Sequence, residues 1–317
     1  MTLTQLEAFV LVARLGSVTA AARTLGVSEP AVSGALASLR QQLGDALVER
    51  GPAGMTLTAG GRRLMPIASQ MVALASEAED AIRQARGAPD RLRVVATGTV
   101  AESVAPGLLA AFGARASAVE LTLGVVASDE VAAVLQERLA DVALGPHVAA
   151  PDLESVPLFR YRLVFVAAPS HPLAAGRARA GDLARQVWLV SGDATDRASL
   201  VGRLLAQLGV ADDQVRVFGS QAAALAAAAR GQGVAPAISH LVARELGRQA
   251  LVVLDVEGAP IELLWHATTL LPDRRGPAAS ALLRFVATPD ALHAMHAPSE
   301  GVPPSRFRPP VYVTLWN

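Results

Sequence analysis

One long, uninterrupted helical pattern constrains this chain more than any other feature. From Thr58, which can cap it, the pattern runs to Arg86 and stops at Gly87, Ala88 and Pro89. Within it Leu64, Ala68, Met71, Ala75, Ala78, Ile82 and Ala85 recur at alternating steps of four and three, a heptad repeat. At ~1.5 Å per residue the rod is about 40 Å long, more than one small module can cover. It therefore divides the 317 residues into a short amino-terminal part and a long carboxy-terminal part. Its small-residue seam suits a partner helix, so residues 59–86 are expected to make a homodimer contact. Packing on its own chain is the alternative, and Pro66 is expected to kink the rod near its start.

The residues before the rod read as three short helices. Thr4 followed by Glu7 has capping-box spacing, with Leu6, Phe9, Val10 and Ala13 on one apolar stripe that stops at Gly16. Ser17 can cap a second helix that closes at Gly26. Ser28 can cap a third, with Glu29 and Pro30 in its first turn and Val32, Leu36, Leu39 and Leu43 as its core positions. That leaves Pro30, Ser33, Gly34, Ala37 and Gln41 on the opposite face, small enough to lie in a major groove about 12 Å wide. Spacing alone does not separate such a unit from an ordinary three-helix bundle.

Composition removes several chemistries. The chain has no Cys, which excludes disulfides, thiolate metal sites and thiol redox switches, and fits a reducing compartment. All 28 of its Lys plus Arg residues are arginine, so there is no phosphate-loop lysine and no Schiff base. The amino end lacks a signal-peptide pattern, and no apolar run reaches the ~20 residues of a membrane span. The expected location is the cytoplasm, with no membrane contact. Formal net charge is zero, so nucleic-acid binding has to come from local charge and shape.

The run from Leu3 to Leu64 contains GSVTAAARTLGVSEPAVS over the second and third helices, LRQQLGDALVER after them, and LTAGG opening the rod. It resembles the winged helix-turn-helix of LysR-type transcriptional regulators. The resemblance implies a recognition helix over Ser28 to Ala37, a wing over Gly51 to Thr56, and double-stranded DNA as partner. DNA contacts are then expected from Ser17, Thr19, Ser28, Glu29, Pro30, Ser33, Gly34, Ala37 and Arg50. Two departures matter: Glu29 and Gly34 stand where the family often has Gln and a basic residue, and the wing tip reads Pro52, Ala53, Gly54. Six arginines (Arg14, Arg23, Arg40, Arg50, Arg62, Arg63) against four acids (Glu7, Glu29, Asp45, Glu49) leave the module a net +2. One module should bind weakly, and pairing modules on one DNA should supply the affinity.

Beyond Pro89, short apolar runs alternate with helical stretches. Strands are expected over Leu92 to Thr97, Val119 to Ala127, Val142 to Gly145, Trp188 to Val190, Val215 to Val217, Leu251 to Leu254 and Ile261 to His266, and a long apolar stretch runs from Val156 to Ala168. Helices are expected over Ala101 to Phe112, Asp129 to Leu139, near Ser199 to Leu208, and over Ala222 to Arg230. This region resembles the family's two-lobed effector-binding domain, of the periplasmic-binding-protein type, with PSHPLA at Pro169 to Ala174 and GQGV at Gly231 to Val234 as its best tokens. The fold class is α/β: a winged helix-turn-helix over 1–58, a linker and dimerisation helix over 59–89, and two α/β lobes over 90–296. The first lobe takes about 90–165 and 266–296, and the second about 166–265, with crossings near Phe165 to Ala167 and Leu264 to Ala267. A Pro-rich tail, 297–317, extends past the resemblance; its VYVTLW segment reads as an edge strand, a partner contact or a disordered end.

Open α/β sheets bind ligands beyond the carboxyl ends of their strands. By resemblance, a small-molecule effector between the lobes is expected at Thr97, Gly98, Thr99 and Ser128, with Ser220 and Gln221 from the second lobe; Thr99 and Ser128 also read as ordinary helix caps. Glu102, Asp129 and Glu130 would repel an anion if they faced that cleft. His293 and His296 lie one turn apart without a third ligand, so no metal site is expected. No catalytic motif is present, and no cofactor is expected. The reading is a ligand-responsive DNA-binding regulator, homodimeric and assembling further to a homotetramer. The alternative is a small-molecule-binding protein whose amino module serves assembly alone.

Overall fold

The computed structural model describes residues 1–51, 54–195, 199–296 and 311–312. The amino-terminal module comprises α1 (Leu3–Leu15), α2 (Val18–Leu25), α3 (Glu29–Leu43) and a hairpin of β1 (Val48–Gly51) and β2 (Gly54–Leu57), and the long α4 (Ala59–Ala85) leads out of it. Then follow β3 (Asp90–Ala96), α5 (Gly98–Ser103), α6 (Ala105–Arg115), β4 (Val119–Val125), α7 (Val131–Gln136), β5 (Val142–Gly145) and β6 (Leu153–Ala167). The rest is α8 (Ala180–Leu183), β7 (Trp188–Ser191), α9 (Leu200–Leu208), β8 (Val215–Phe218), α10 (Gln221–Ala229), β9 (Ala235–Ile238), α11 (Ala243–Gly247), β10 (Val252–Val253), β11 (Ile261–Leu270), α12 (Pro277–Val286), α13 (Pro289–His296) and β12 (Val311–Tyr312).

The module closes on one apolar core. Leu6, Phe9 and Val12 of α1, Ala21 of α2, Leu36 and Leu39 of α3, Leu47, and Ala68 of α4 are all buried together. The capping box of α1 sits two residues earlier than the Thr4–Glu7 spacing suggests. Gln5 N–H donates to Thr2 Oγ1 at 3.3 Å and Thr2 N–H to Gln5 Oε1 at 2.8 Å. Both pairs match the signature, and the outer one wins because it adds backbone bonds such as Leu6 N–H to the Thr2 carbonyl at 3.1 Å.

The first half of α4 belongs to that core. Ala68 is fully buried and Leu64 half-buried against the module, so these two heptad positions turn inward, against expectation. The stripe open to a partner is Ile67, Met71, Leu74, Ala78 and Ile82, all exposed. The rod starts as read: Gly61 N–H donates to Thr58 Oγ1 at 2.9 Å. The two glycines that follow are there for space. A Cβ on Gly61 would lie 1.9 Å from the Leu47 carbonyl oxygen, and one on Gly60 2.1 Å from an Asp45 carboxylate oxygen.

The carboxy-terminal region is built on a sheet ordered β10-β6-β11-β5-β3-β4-β12, with β9 on the free side of β6. β3 pairs parallel with β4 and β5, as strand-helix-strand crossovers require. β6 and β11 are long antiparallel strands common to both lobes. On β11 the change of partner falls at the irregularity between Trp265 and His266, since β5 pairs only from His266 onward. On β6 it comes earlier than Phe165, because β9 is already paired at Leu163. No turn residue punctuates LFRYRLVFVA, so the sequence does not mark the position. A separate parallel pair, β7 with β8, completes the second lobe.

Some elements differ from the sequence reading. The helix expected from Ala101 to Phe112 is two helices that break at Val104, where Pro106 can supply no N–H. β9, absent from the sequence reading, holds Pro236, a residue seldom found inside a sheet. Phe165, opposite Pro236, accepts at its carbonyl from Leu254 N–H (2.8 Å) on its other side. The Phe165–Pro236 pair is therefore one that exchanges no hydrogen bonds, and proline loses nothing there. Most of the tail lies outside the described residues; Val311–Tyr312 pairs parallel with β4. Among the described residues no helix is long and apolar enough to cross a membrane.

Candidate DNA interface and effector cavity

The crossing of α2 and α3 is fixed by caps. Ser17 accepts from Ala20 N–H at 3.2 Å to start α2. Gly26 ends it at φ +67, a left-handed turn that costs glycine little, and its N–H bonds back to the Ala22 and Arg23 carbonyls. Ser28 occupies the N-cap position of α3, yet its side chain makes no capping bond and is exposed. Val32, Leu36 and Leu39 anchor α3 in the core. Glu29, Pro30, Ser33, Gly34 and Ala37 then all face outward, and the space around Gly34 is open for 4 Å. Thr19 is exposed as well, whereas Ser17 is half-buried and serves as a cap.

The wing is held from below. Arg40 donates from Nη2 to the Val48 carbonyl at 2.9 Å. Asp45 bridges the wing root and α4 by accepting from Leu47 N–H at 2.6 Å and Thr58 Oγ1–H at 2.7 Å. Those donors, the Thr58 hydroxyl first, hold its carboxyl below the usual carboxylate range. Arg50 projects from β1 into solvent, and Arg23, Arg62 and Arg63 are also exposed. Arg14 is not: burial lowers its pKa, opposed by the carboxylate of Glu137 beside it.

Between the lobes lies a cavity of about 140 Å³. Its first-lobe wall carries Thr97, Gly98, Thr99 and Ser128, which sit past the carboxyl ends of β3 and β4. The facing wall carries Ser191, Ser199 and Gln221 among aliphatic side chains, and the crossing strands add Tyr161 and Trp265, stacked at 4.2 Å. Gln221 is fixed: Ser191 Oγ–H donates to its Oε1 at 3.2 Å, and its Nε2–H donates to the Pro236 carbonyl at 2.6 Å. Burial, opposed by a hydrogen bond with Trp265, pushes the Tyr161 phenol up to about 12, so it stays a neutral hydroxyl at ordinary pH. None of the described lining residues carries a charge, and Glu102, Asp129 and Glu130 are not among them.

Residues 3–62 match the model of the bacterial regulatory helix-turn-helix protein, lysR family, and residues 85–289 match that of the LysR substrate binding domain. The chain belongs to the LysR family. An uncharacterized HTH-type transcriptional regulator of Mycobacterium tuberculosis is 36% identical over the whole of both chains. The HTH-type transcriptional regulator CfxR of Cupriavidus necator is 29% identical over 90% of this chain and 91% of its own. Among solved structures, full-length CbnR complexed with its target DNA superposes with a TM-score of 0.60 at 24% identity, covering 90% of this chain and 99% of that one. Full-length OxyR from Pseudomonas aeruginosa gives 0.66 at 18% identity, covering 96% and 99%. Both share the fold.

Within this LysR-family frame, the residues singled out for DNA are all exposed on the module except Ser17, which is half-buried and serves as a cap. Of those singled out for an effector, Thr97, Gly98, Thr99, Ser128 and Gln221 line one cavity. Ser220 does not: its hydroxyl accepts from Ala223 N–H at 3.2 Å and starts α10. Sequence reading missed Ser191 and Ser199, although Ser191 closes β7 and the strand-end rule could have found it. Tyr161 and Trp265 carried no local signal, because only the pairing of β6 with β11 brings them together.

Proposed function

We propose that this transcriptional regulator grips double-stranded DNA with the exposed face of α3. Glu29, Pro30, Ser33, Gly34 and Ala37 lie against the major groove, with Ser28 and Thr19 at its edge, Ser17 setting the angle of α2, and Arg50 on the backbone beside the wing. The observation that carries this reading is a solvent-facing strip of small side chains on the second helix of a helix-turn-helix. Such a strip makes close approach possible and donates little, so shape and phosphate contacts carry most of the affinity. Two modules per DNA then matter more than one. The exposed stripe Ile67, Met71, Leu74, Ala78 and Ile82 supports a dimer through α4, which pairs again into a homotetramer, in the cytoplasm where the DNA is. Selection of bound fragments from random duplex DNA tests this: a palindromic consensus supports it, and no enrichment contradicts it.

The cavity supports a small-molecule effector that is itself uncharged. Its hydroxyls and amide can hold carbonyl or hydroxyl groups, and Tyr161 and Trp265 offer a flat apolar surface. A carboxylate would meet no cation among the described lining residues, and burying an unpaired charge is costly. The test is a thermal-shift panel of matched pairs, each a carboxylic acid with its amide and its alcohol, on the parent and on Thr99→Val with Ser128→Ala. Stabilisation by neutral members, lost in the double variant, supports the reading; preference for the acids contradicts it.

A further inference from the structure

Three polar contacts tie the end of α7 to the DNA-binding module and to the α4 helix that leads out of it, all in the same chain. Arg14, in the last turn of α1, donates from Nη2 to Glu137 Oε2 at 3.0 Å and to Ser69 Oγ at 2.8 Å. The two charged side chains are only 15% and 11% exposed. Farther along α4, Gln70 Nε2 donates to the Gln136 carbonyl at 3.1 Å, and Glu77 pairs with Arg138. The opposite end of α7 follows Ser128, a wall of the cavity, about 9 Å away at ~1.5 Å per residue. Val131, Val134 and Leu135 are buried in the first lobe's own cluster, so α7 moves as one piece. α1, α2 and α3 share a single core, so the direction of α1 is also the direction of α3.

We propose that Gln136 to Arg138 form the seat on which the first lobe holds its own chain's DNA-binding module, with Arg14 and Glu137 as the positioning pair that sets α3 relative to the effector cavity. That an occupant of the cavity shifts this seat rests on the effector reading above; the seat itself does not. A surface pair of this kind would do little. Here each charge has lost most of its water, and removing Glu137 takes the carboxylate away from a largely buried guanidinium. Module and lobe have distinct cores, so the strain is relieved where they meet: Arg14 regains water when the module lifts off.

The absence of Cys makes the test clean, because two introduced cysteines label nothing else. Nitroxides at Gln42→Cys in the module and Ser117→Cys in the first lobe, both exposed, report the intrachain distance in full-length protein diluted with unlabelled chains. The expected result is one narrow distance distribution in the parent, a broadened one in Glu137→Gln, and a broader one when Glu77→Gln is added. Affinity for a duplex with one half-site of the selected sequence should stay unchanged, while affinity for the two-half-site duplex falls about fivefold or more. Distributions identical to the parent's in both variants overturn the proposal, even if thermal stability drops, because the pair then stabilises without positioning. Equal losses on both duplexes also overturn it. No effector enters either arm, so a failure here leaves the cavity reading standing, and an empty ligand screen leaves this one standing.

Discussion

The outward face of α3 and the joint between α1 and α7 treat charge in opposite ways. α3 meets solvent with Pro30, Ser33, Gly34 and Ala37, and Glu29 is the charge in its first turn. The joint seals Arg14 against Glu137 and adds Glu77 with Arg138. Arginine that a DNA-binding module could aim at phosphate is here partly committed to geometry. Arg14 is in the joint, Arg40 holds the wing, and Arg62 Nη1 donates to the Leu57 carbonyl at 2.7 Å. The lesson is that this module's grip on DNA depends on how it is held as much as on what it offers.

The largest effect expected from disturbing that contrast is at the joint. Glu137→Ala should cost about 3–5 kcal/mol wherever the joint stays closed, because it removes the carboxylate beside the largely buried Arg14 charge. Chemical denaturation of the full chain measures it, and unchanged stability would erase the contrast. On the DNA side, Arg50→Ala should leave the fold intact and flatten the dependence of log affinity on log salt by about 0.9 per module. Fluorescence anisotropy across a salt series reads that slope, and no change would remove Arg50 from the backbone contacts.

Gly34→Arg sharpens the comparison from the other direction. The site is open and helical, so the substitution should be tolerated, steepen the salt slope by up to about 0.9 per module and raise affinity for unrelated duplexes. A loss of all DNA binding would instead show that α3 needs its bareness for contact. The smallest effect concerns Asp45. Its folded-state pKa lies below the ordinary value, so its contribution is present above about pH 4 and fades as pH falls through the lower folded value. Asp45→Asn should therefore be less stable than the parent near neutrality and equal to it in strong acid, as followed by circular dichroism against pH; a gap that persists in acid would point to packing at Gly60 instead.

The module was legible in the sequence because its information is local. Gly26 and Gly44 close their helices in left-handed turns, Ser17 opens α2 and Thr58 opens α4. Local rules also misled where two sites satisfied the same one, as with Thr2 and Thr4. Heptad spacing found the rod, but which stripe stays open depends on α1 covering Leu64 and Ala68, a contact that no spacing within α4 encodes. The cavity was half legible: Thr97, Thr99 and Ser128 follow from strand ends, whereas Tyr161 and Trp265 come from strands about a hundred residues apart. Ser220 and Ser199 show the same ambiguity from both sides. Each caps a helix, and only the fold turns Ser199 toward the cavity.

The most direct measurement places α3 on DNA. A cleavage reagent attached to Ala37→Cys, the sole thiol in such a chain, should cut both strands within each selected half-site, while the same reagent at Ser117→Cys leaves those base pairs intact. Cuts confined to flanking DNA, or none from protein that still binds, would mean that another surface does the reading.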